Sequence, residues 1–392
     1  MRSKNSWVEL VSSLLTVVAG LSVIAVAMFA GTGSRGAQPG VAALPGGPGE
    51  WRVLEGVSYE NLTVFPVVTR QPAETSGYAT LDEALASGEA IVTETGGEII
   101  RRSRDGRPVP LPIQSGGAQV NRLALINRGK RPLVLLAGEL VSGGKQDRVI
   151  AKDRIVPPGA DPLPLDVFCV EHGRWTGASM QFNASKVIVH PSVREKAAVE
   201  QKQDEVWAAV RSGTTARTEG GIAGGAARPA ITRETLDTVV VAEARTESYG
   251  KIYHGSRVGP SVEAFAEEVQ KRFAKATAGL KGEHVIGVVV AYGGEVAWSD
   301  AFASNELFRA YWPKLLKSYV VEALARPKSQ EHAALEAARE FLEPLRGRVS
   351  EESEPGVYRW RQTTEGRYAE IELESLAPKT LLLHWVKLHR TS

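Results

Sequence analysis

One cysteine, Cys169, stands in a chain of 392 residues, and that scarcity closes two routes at once. No intramolecular disulfide can form and no cysteine-rich zinc site can assemble. Stability has to come from an apolar core, which a chain of this length can build. An excess of one charge is lacking too. The chain carries 47 basic and 45 acidic residues, a formal net charge of +2. Nucleic-acid proteins concentrate basic charge on one face, so no nucleic-acid partner is expected. The local run Arg101, Arg102, Arg104 and Arg107 reads as a solvated loop.

Familiar catalytic signatures are missing as well. A phosphate loop needs a glycine five before the Gly-Lys pair and a hydroxyl residue after it. Around Gly144 and Lys145 those places hold Glu139 and Gln146. A cysteine phosphatase loop needs an arginine six after the nucleophile, where Cys169 has Trp175; Arg174 is one short. No G-x-S-x-G elbow and no dinucleotide fingerprint occurs. The histidines (172, 190, 254, 284, 332, 384 and 389) form no H-x-H or H-E-x-x-H pair. His384 and His389 leave opposite faces of one strand, so they cannot chelate an ion together. Neither a metal nor a cofactor is implied.

What is present begins with an uncharged stretch from Leu10 to Ala30, preceded by Arg2 and Lys4. It has the roughly 20 apolar residues that span a bilayer, with basic residues on the side expected to stay in the cytoplasm. Ala25-Val26-Ala27 also fits a signal peptidase site. Residues 1–30 are therefore a signal peptide or membrane anchor, their length favouring the anchor; cleavage near Ala27 would release a secreted protein. Either way the remainder is expected outside the cytoplasm, in the cell envelope. Residues 31–50 are Gly/Pro-rich and read as a flexible tether.

The rest reads as an α+β fold. Residues 51–190 form a strand-rich lobe with antiparallel or mixed sheets. Its one short helix lies in "LDEALASGEA" (81–90), ending at Gly88, and its strands in "AIVTET", "VNRLALIN", "PLVLLAGEL" and "LPLDVFCVE". Residues 191–231 hold a helix, Ser192 to Arg211, and a loop rich in Gly and Ala. Residues 232–392 form a helix-plus-sheet lobe. Val262, Phe265, Val269 and Phe273 recur at helical spacing. "HVIGVVVAYGGEVAWSDAF" is a hairpin around Gly293-Gly294. Leu307, Tyr311, Leu315, Tyr319 and Ala323 mark a helix that Pro313 should break or kink. A further helix spans Glu331 to Leu345. In "YAEIELE", Ala369, Ile371 and Leu373 face the core while Glu370, Glu372 and Glu374 face solvent.

One stretch places many polar groups between core strands: "LVLLAGELVSGGKQDRVIAKDRIVPP" (133–158). Glu139 ends one strand, Gly143-Gly144 lets the backbone reverse, and Gln146 and Arg148 share a side of the next. Cys169 lies on an apolar strand face with Leu165 and Val167 and reads as a small buried hydrophobe. Glu171 continues that face and needs a cation such as Arg148 or Arg174. Glu139, Gln146, Arg148, Glu171, Arg174 and Trp175 would together hold an anionic or carbohydrate-like ligand, arginine by bidentate bonds and tryptophan by stacking. Three competing readings stay open. One is a salt-bridge network that staples strands; another is a hydrolase with Glu139 and Glu171 as acid and base; the third is an envelope scaffold or partner-binding domain.

"YENLTVFPV" (59–67), "GYATLDEALASGEAIVTE" (77–94), "LLAGELVSGGKQDRVI" (135–150) and "CVEHGRW" (169–175), followed by a helix with Trp207, resemble one known family. It is the "ARG and rhodanese-phosphatase-superfamily-associated protein" domain, across residues 51 to 325. That domain has no assigned function, and its name records association with other proteins, so the resemblance implies neither a phosphatase nor a rhodanese. Its shared positions fall here on Glu139, Gly143, Gly144, Lys145, Gln146, Asp147, Arg148, Cys169, Glu171, Arg174 and Trp175. An ADP-ribose-related ligand becomes more plausible if "ARG" denotes ADP-ribosylglycohydrolases.

Overall fold

The computed structural model describes residues 50–94, 98–102, 108–112, 122–159, 161–172, 180–212, 247–254 and 258–390. The expected membrane segment 1–30, the tether up to residue 49 and the Gly/Ala-rich loop from 213 onward lie outside them. So do Arg104, Arg107, Arg174 and Trp175. Among the described residues, no helix is long and apolar enough to cross a membrane.

A closed six-stranded barrel occupies the first half of the chain. Around it run Glu139–Gly143, Arg148–Ile150, Leu163–Cys169, Arg122–Asn127, Ala90–Glu94 and Gln181–Ile188. Alternation along each strand sends one set of side chains inward. Val92, Leu123, Leu125, Val141, Ile150, Leu165, Val167 and Phe182 fill the lumen. Leu140, Val149, Phe168 and Val187 belong instead to the core outside the barrel wall. The short helix Leu81–Ala86 adds Leu81 and Ala84 to the lumen cluster. Its start is fixed by a reciprocal cap: the Thr80 hydroxyl accepts from the Glu83 N–H, and the Glu83 carboxylate accepts from the Thr80 N–H.

The second structure is a nine-stranded antiparallel sheet. Its order is Arg52–Val53, Leu62–Thr69, His284–Tyr292, Glu295–Phe302, Leu381–His389, Tyr368–Ser375, Tyr358–Glu365 and Arg348–Glu354, with Val57–Tyr59 also on Leu62–Thr69. The strand-rich α+β character holds, but the two β structures are not sequential lobes. Leu62–Thr69, from the N-terminal part, pairs along its length with the C-terminal strand His284–Tyr292. That central strand reads as a Val-rich run without alternation because both faces are covered. Helices Gly259–Thr277 and Asn305–Ala325 pack on one face and Leu335–Phe341 on the other. Gly287 is obligatory there: a Cβ would meet the Asp300 carbonyl oxygen at 2.4 Å.

Several local expectations are corrected. "PLVLLAGEL" is two strands, Leu133–Leu135 and Glu139–Gly143, because Gly138 turns the chain at φ +93°. The helix from Ser192 is two, Pro191–Glu195 and Gln203–Ser212, joined by a π turn over Lys196–Glu200 that ends with Gln201 at φ +54°. Pro313 does not break its helix, which runs on from Asn305 to Ala325. It removes one N–H while its exposed ring stays on the solvent side. The expected Glu331–Leu345 helix is shorter, Leu335–Phe341. Arg101 and Arg102 belong to a strand, Glu98–Arg102, paired with Pro108–Pro112, rather than to a loop. Glu370 and Glu374 are buried, not solvated. Their strand lies inside the sheet, where Arg359 pairs with Glu374 and Arg361 with Glu372.

Candidate functional site

The Gly-Gly hairpin and the strand carrying Cys169 lie side by side. Arg148 is the direct cross-strand neighbour of Cys169 and of Val141. Since Ile150 and Val167 point into the lumen, alternation places Arg148 and Cys169 there as well. Glu94 enters the lumen from a third strand, two residues beyond Val92. Three polar groups thus make one layer at the end of an otherwise apolar barrel.

The hairpin closes tightly over this layer. Gly143 (φ +137°) donates to the Asp147 carboxylate at 3.3 Å, and the Lys145 N–H donates to Glu94 Oε1 at 3.0 Å. At Gly144 (φ +54°) a Cβ would lie 2.4 Å from Phe182 Cζ and 2.7 Å from Glu94 Oε1. Only glycine lets the turn sit this close. Gln146 and Asp147 are buried, and Lys145 is half-buried.

Arg148 is withdrawn from solvent yet poorly satisfied. Nη1 donates to Gln146 Oε1 at 3.2 Å and to the Asp147 carbonyl at 3.4 Å. Nη2 lies 4.0 Å from Glu94, a long ion pair, and Nε has no hydrogen-bond partner among the described residues. A buried guanidinium left short of acceptors carries a substantial desolvation cost. Burial pushes the Cys169 thiol above its ordinary pKa; Arg148 pulls it back and Glu94 adds to the rise.

Glu139 is not part of this layer. Its carboxylate accepts from Lys314 Nζ at 2.5 Å and from the Leu136 N–H at 2.7 Å, and Lys314 also donates to Asp82 at 2.7 Å. Burial pushes the Glu139 carboxyl up against the pull of Lys314. Burial would lower the Lys314 pKa, but Glu139 and Asp82 keep it raised. The backbone of Glu171 pairs with Ser248 in a short ladder, Glu171–His172 on Glu247–Ser248. Its predicted companions Arg174 and Trp175 are outside the described residues.

A second buried polar chain joins the barrel side of the fold to the sheet. Asp153 accepts from the Ala137 N–H at 2.7 Å and contacts His384 Nδ1 at 2.5 Å; His384 Nε2 lies 3.0 Å from Asp300. Asp300 takes Arg194 on its other side, and Trp298 Nε1 and the Tyr319 hydroxyl donate to it. Burial alone would raise the Asp300 pKa, but Arg194 and His384 hold it well below the usual carboxylate range. None of these residues, nor Glu94, Asp82 and Lys314, was a site candidate from the sequence, where His384 entered only as a histidine that could not share an ion with His389. The available signal was a charged or polar residue inside an apolar strand, as in "LLLHWV" and "AWSDAF".

Among the described residues, a cleft of about 700 Å³ opens between helices Gly259–Thr277 and Asn305–Ala325. A pit of about 20 Å³ opens beside Asp153, Asp166 and Trp360. Neither is lined by Glu139, Arg148 or Cys169.

The model of the ARG and Rhodanese-Phosphatase-superfamily-associated Protein domain matches residues 50–388. The chain belongs to that family. In this domain the GGKQDR hairpin and the CVE strand meet at the barrel mouth, and the match runs on beyond both through the last strand of the sheet. No curated protein and no solved structure matches the chain. The family carries no assigned function, so chemistry has to be argued from the side chains.

Proposed function

We propose that this chain is a membrane-tethered, extracytoplasmic binding protein whose barrel mouth takes a small carbohydrate-like ligand. The observation that carries this reading is Arg148, a buried guanidinium whose Nε has no hydrogen-bond partner among the described residues, beside Glu94 at 4.0 Å. A donor and an acceptor so placed match the paired donor and acceptor of a sugar's vicinal hydroxyls. Glu94 leaves little net positive charge for a multiply charged anion. Gln146 and Lys145 on the hairpin add further donors. The uncharged stretch Leu10 to Ala30 behind Arg2 and Lys4 supports the tether and its outward side.

A structural reading suits Glu139 better than a catalytic one. An acid or base needs access to substrate, and the Glu139 carboxylate is occupied by the Leu136 N–H and by Lys314, which it shares with Asp82.

Thermal-shift titrations with neutral mono- and oligosaccharides, ADP-ribose and nucleotides test the proposal. A neutral sugar is expected to raise Tm, with the gain lost in Arg148→Met and in Glu94→Gln. A gain that persists in both variants, or stabilisation by the nucleotides alone, overturns it. Alkaline phosphatase fused after residue 392 tests the outward address: an inactive fusion rejects it.

A further inference from the structure

The cleft between the two long helices belongs to neither the barrel mouth nor the buried polar chain. Its volume falls in the range of small-molecule sites, which are mostly apolar with a few placed polar groups. The helices run antiparallel here, as their contacts show: Glu263 pairs with Lys317, Trp312 donates to Gln270, and Phe273 packs on both Trp312 and Phe308. Phe273, Phe308, Trp312 and Leu316 make a floor of large apolar side chains, while Ala266, Ala274 and Pro313 keep the walls low. The Phe273 and Trp312 rings stand 4.7 Å apart, and the Phe308 and Trp312 rings 5.3 Å.

Charge around the rim is uneven once ion pairs are removed. Glu263 is neutralised by Lys317, and Glu283 by Arg52 with Arg70 beside it. Arg309 and His284 form no ion pair among the described residues, and both line one end of the cleft, together with Asn305 in the first turn of its helix. At the other end, next to Ala266, stands Glu267, also without an ion pair there. An apolar trough with a cation at one end and a carboxylate at the other fits a ligand that is anionic at one end only. It orients that ligand as well, because the head is drawn to Arg309 and repelled by Glu267.

We propose that this cleft binds an amphipathic monocarboxylate: an apolar chain lying over Phe273, Phe308 and Trp312, with its carboxylate on the Arg309 guanidinium. The proposal is independent of the barrel-mouth reading, since no residue is shared.

Isothermal titration of the whole protein with dodecanoate, dodecanol and dodecyltrimethylammonium, each below its micellar concentration, decides it. Dodecanoate is expected to bind saturably at one site. Arg309→Gln should weaken it about tenfold or more, the worth of a charged hydrogen bond, and dodecanol should bind comparably weakly. Ala274→Trp, a change at an exposed helix position, should fill the trough and abolish binding, while Arg148→Met leaves it unchanged. Equal affinity for dodecanoate and dodecanol, an unaffected Arg309→Gln, or binding that survives Ala274→Trp overturns the proposal. So does the absence of any binding in a wild-type protein shown folded by its melting transition.

Discussion

Asp300 grips Arg194 across the boundary between the sheet and the helix that leaves the barrel. Nη1 donates to Oδ2 at 2.9 Å, while Nη2 lies 2.8 Å from Oδ1, near enough for the charge but off the hydrogen-bond axis. Both side chains are fully buried. Removing one member of such a pair strands the other in a low-dielectric core, at a cost of about 3–5 kcal/mol. Asp300→Asn is expected to lower the urea midpoint accordingly. Asp300→Asn with Arg194→Met should recover part of the loss. Two single-variant losses that simply add would show that the pair is not coupled.

His384 ties the same carboxylate to Asp153, and the sign of its pH effect follows from its environment. Burial alone would lower its pKa, but Asp153 and Asp300 raise it above 6.5. Its stabilisation is therefore complete below the unfolded value and is lost as pH rises through the folded one. Asp300, whose pKa is depressed, contributes above its ordinary 3.8 and loses that contribution as pH falls. The stability gap between wild type and His384→Gln, from urea melts, should shrink as pH is raised from 6.5 into the alkaline range. A gap that stays constant with pH would sink the assignment.

Glu370 works in the direction opposite to Asp300. Burial raises its carboxyl to about 7, with Glu372 adding to the rise and the Leu345 N–H and Lys387 opposing it. Between the ordinary 4.5 and that value the folded state holds the extra proton, so stability falls as pH rises. Each tenfold difference in proton affinity between the folded and unfolded chain is worth about 1.4 kcal/mol. On that scale Glu370→Gln should gain roughly 3 kcal/mol on wild type between about pH 4.5 and pH 8. Denaturant melts at both pH values check this, and an unchanged difference rejects it.

The sequence made the strands legible where one face is wet and the other dry, and where turns carry glycine. The hairpin around Gly293-Gly294 appears as His284–Tyr292 and Glu295–Phe302, and the short helix before Gly88 is in place. It also led to the expectation that the hairpin of Arg148 and the strand of Cys169 pool their polar groups, and the structure pairs the two directly. What it hid was partnership over distance. Glu139 is claimed by Lys314, 175 residues away, and Asp153 by His384, 231 residues away. Nothing local in "AGEL" or "AKDR" marks those contacts. Alternation misled at Glu370 and Glu374 because it reports which residues share a face, not whether that face is covered.

Gly144 and Gly88 separate two costs that are often confounded. Both have positive φ, +54° and +73°, but a Cβ at Gly88 meets nothing within 4 Å while one at Gly144 runs into Phe182 and Glu94. Gly88→Ala should cost about 1 kcal/mol, the backbone penalty alone. Gly144→Ala should cost about 2–4 kcal/mol, because crowding in a packed barrel is added to it. Thermal melts of the two variants compare them directly. Equal losses would mean that the hairpin does not press on the lumen.

Cys169 makes the last test, because it reports on the barrel mouth without any ligand. Its thiol is fully buried and its pKa is raised by that burial, with the Gln203 side chain clamping its backbone on both sides at 2.9 Å. A thiolate is the reactive species, so an aromatic disulfide reagent at about pH 8 should modify the folded protein at least about a hundredfold more slowly than the urea-unfolded chain. Arg148 favours the thiolate electrostatically, and Arg148→Met should therefore slow the native reaction further if it proceeds through local opening of the mouth. If global unfolding limits it instead, that variant should react faster, in step with its lost stability. The direction of this one change tells whether the barrel mouth opens by itself, as a ligand entering it would require.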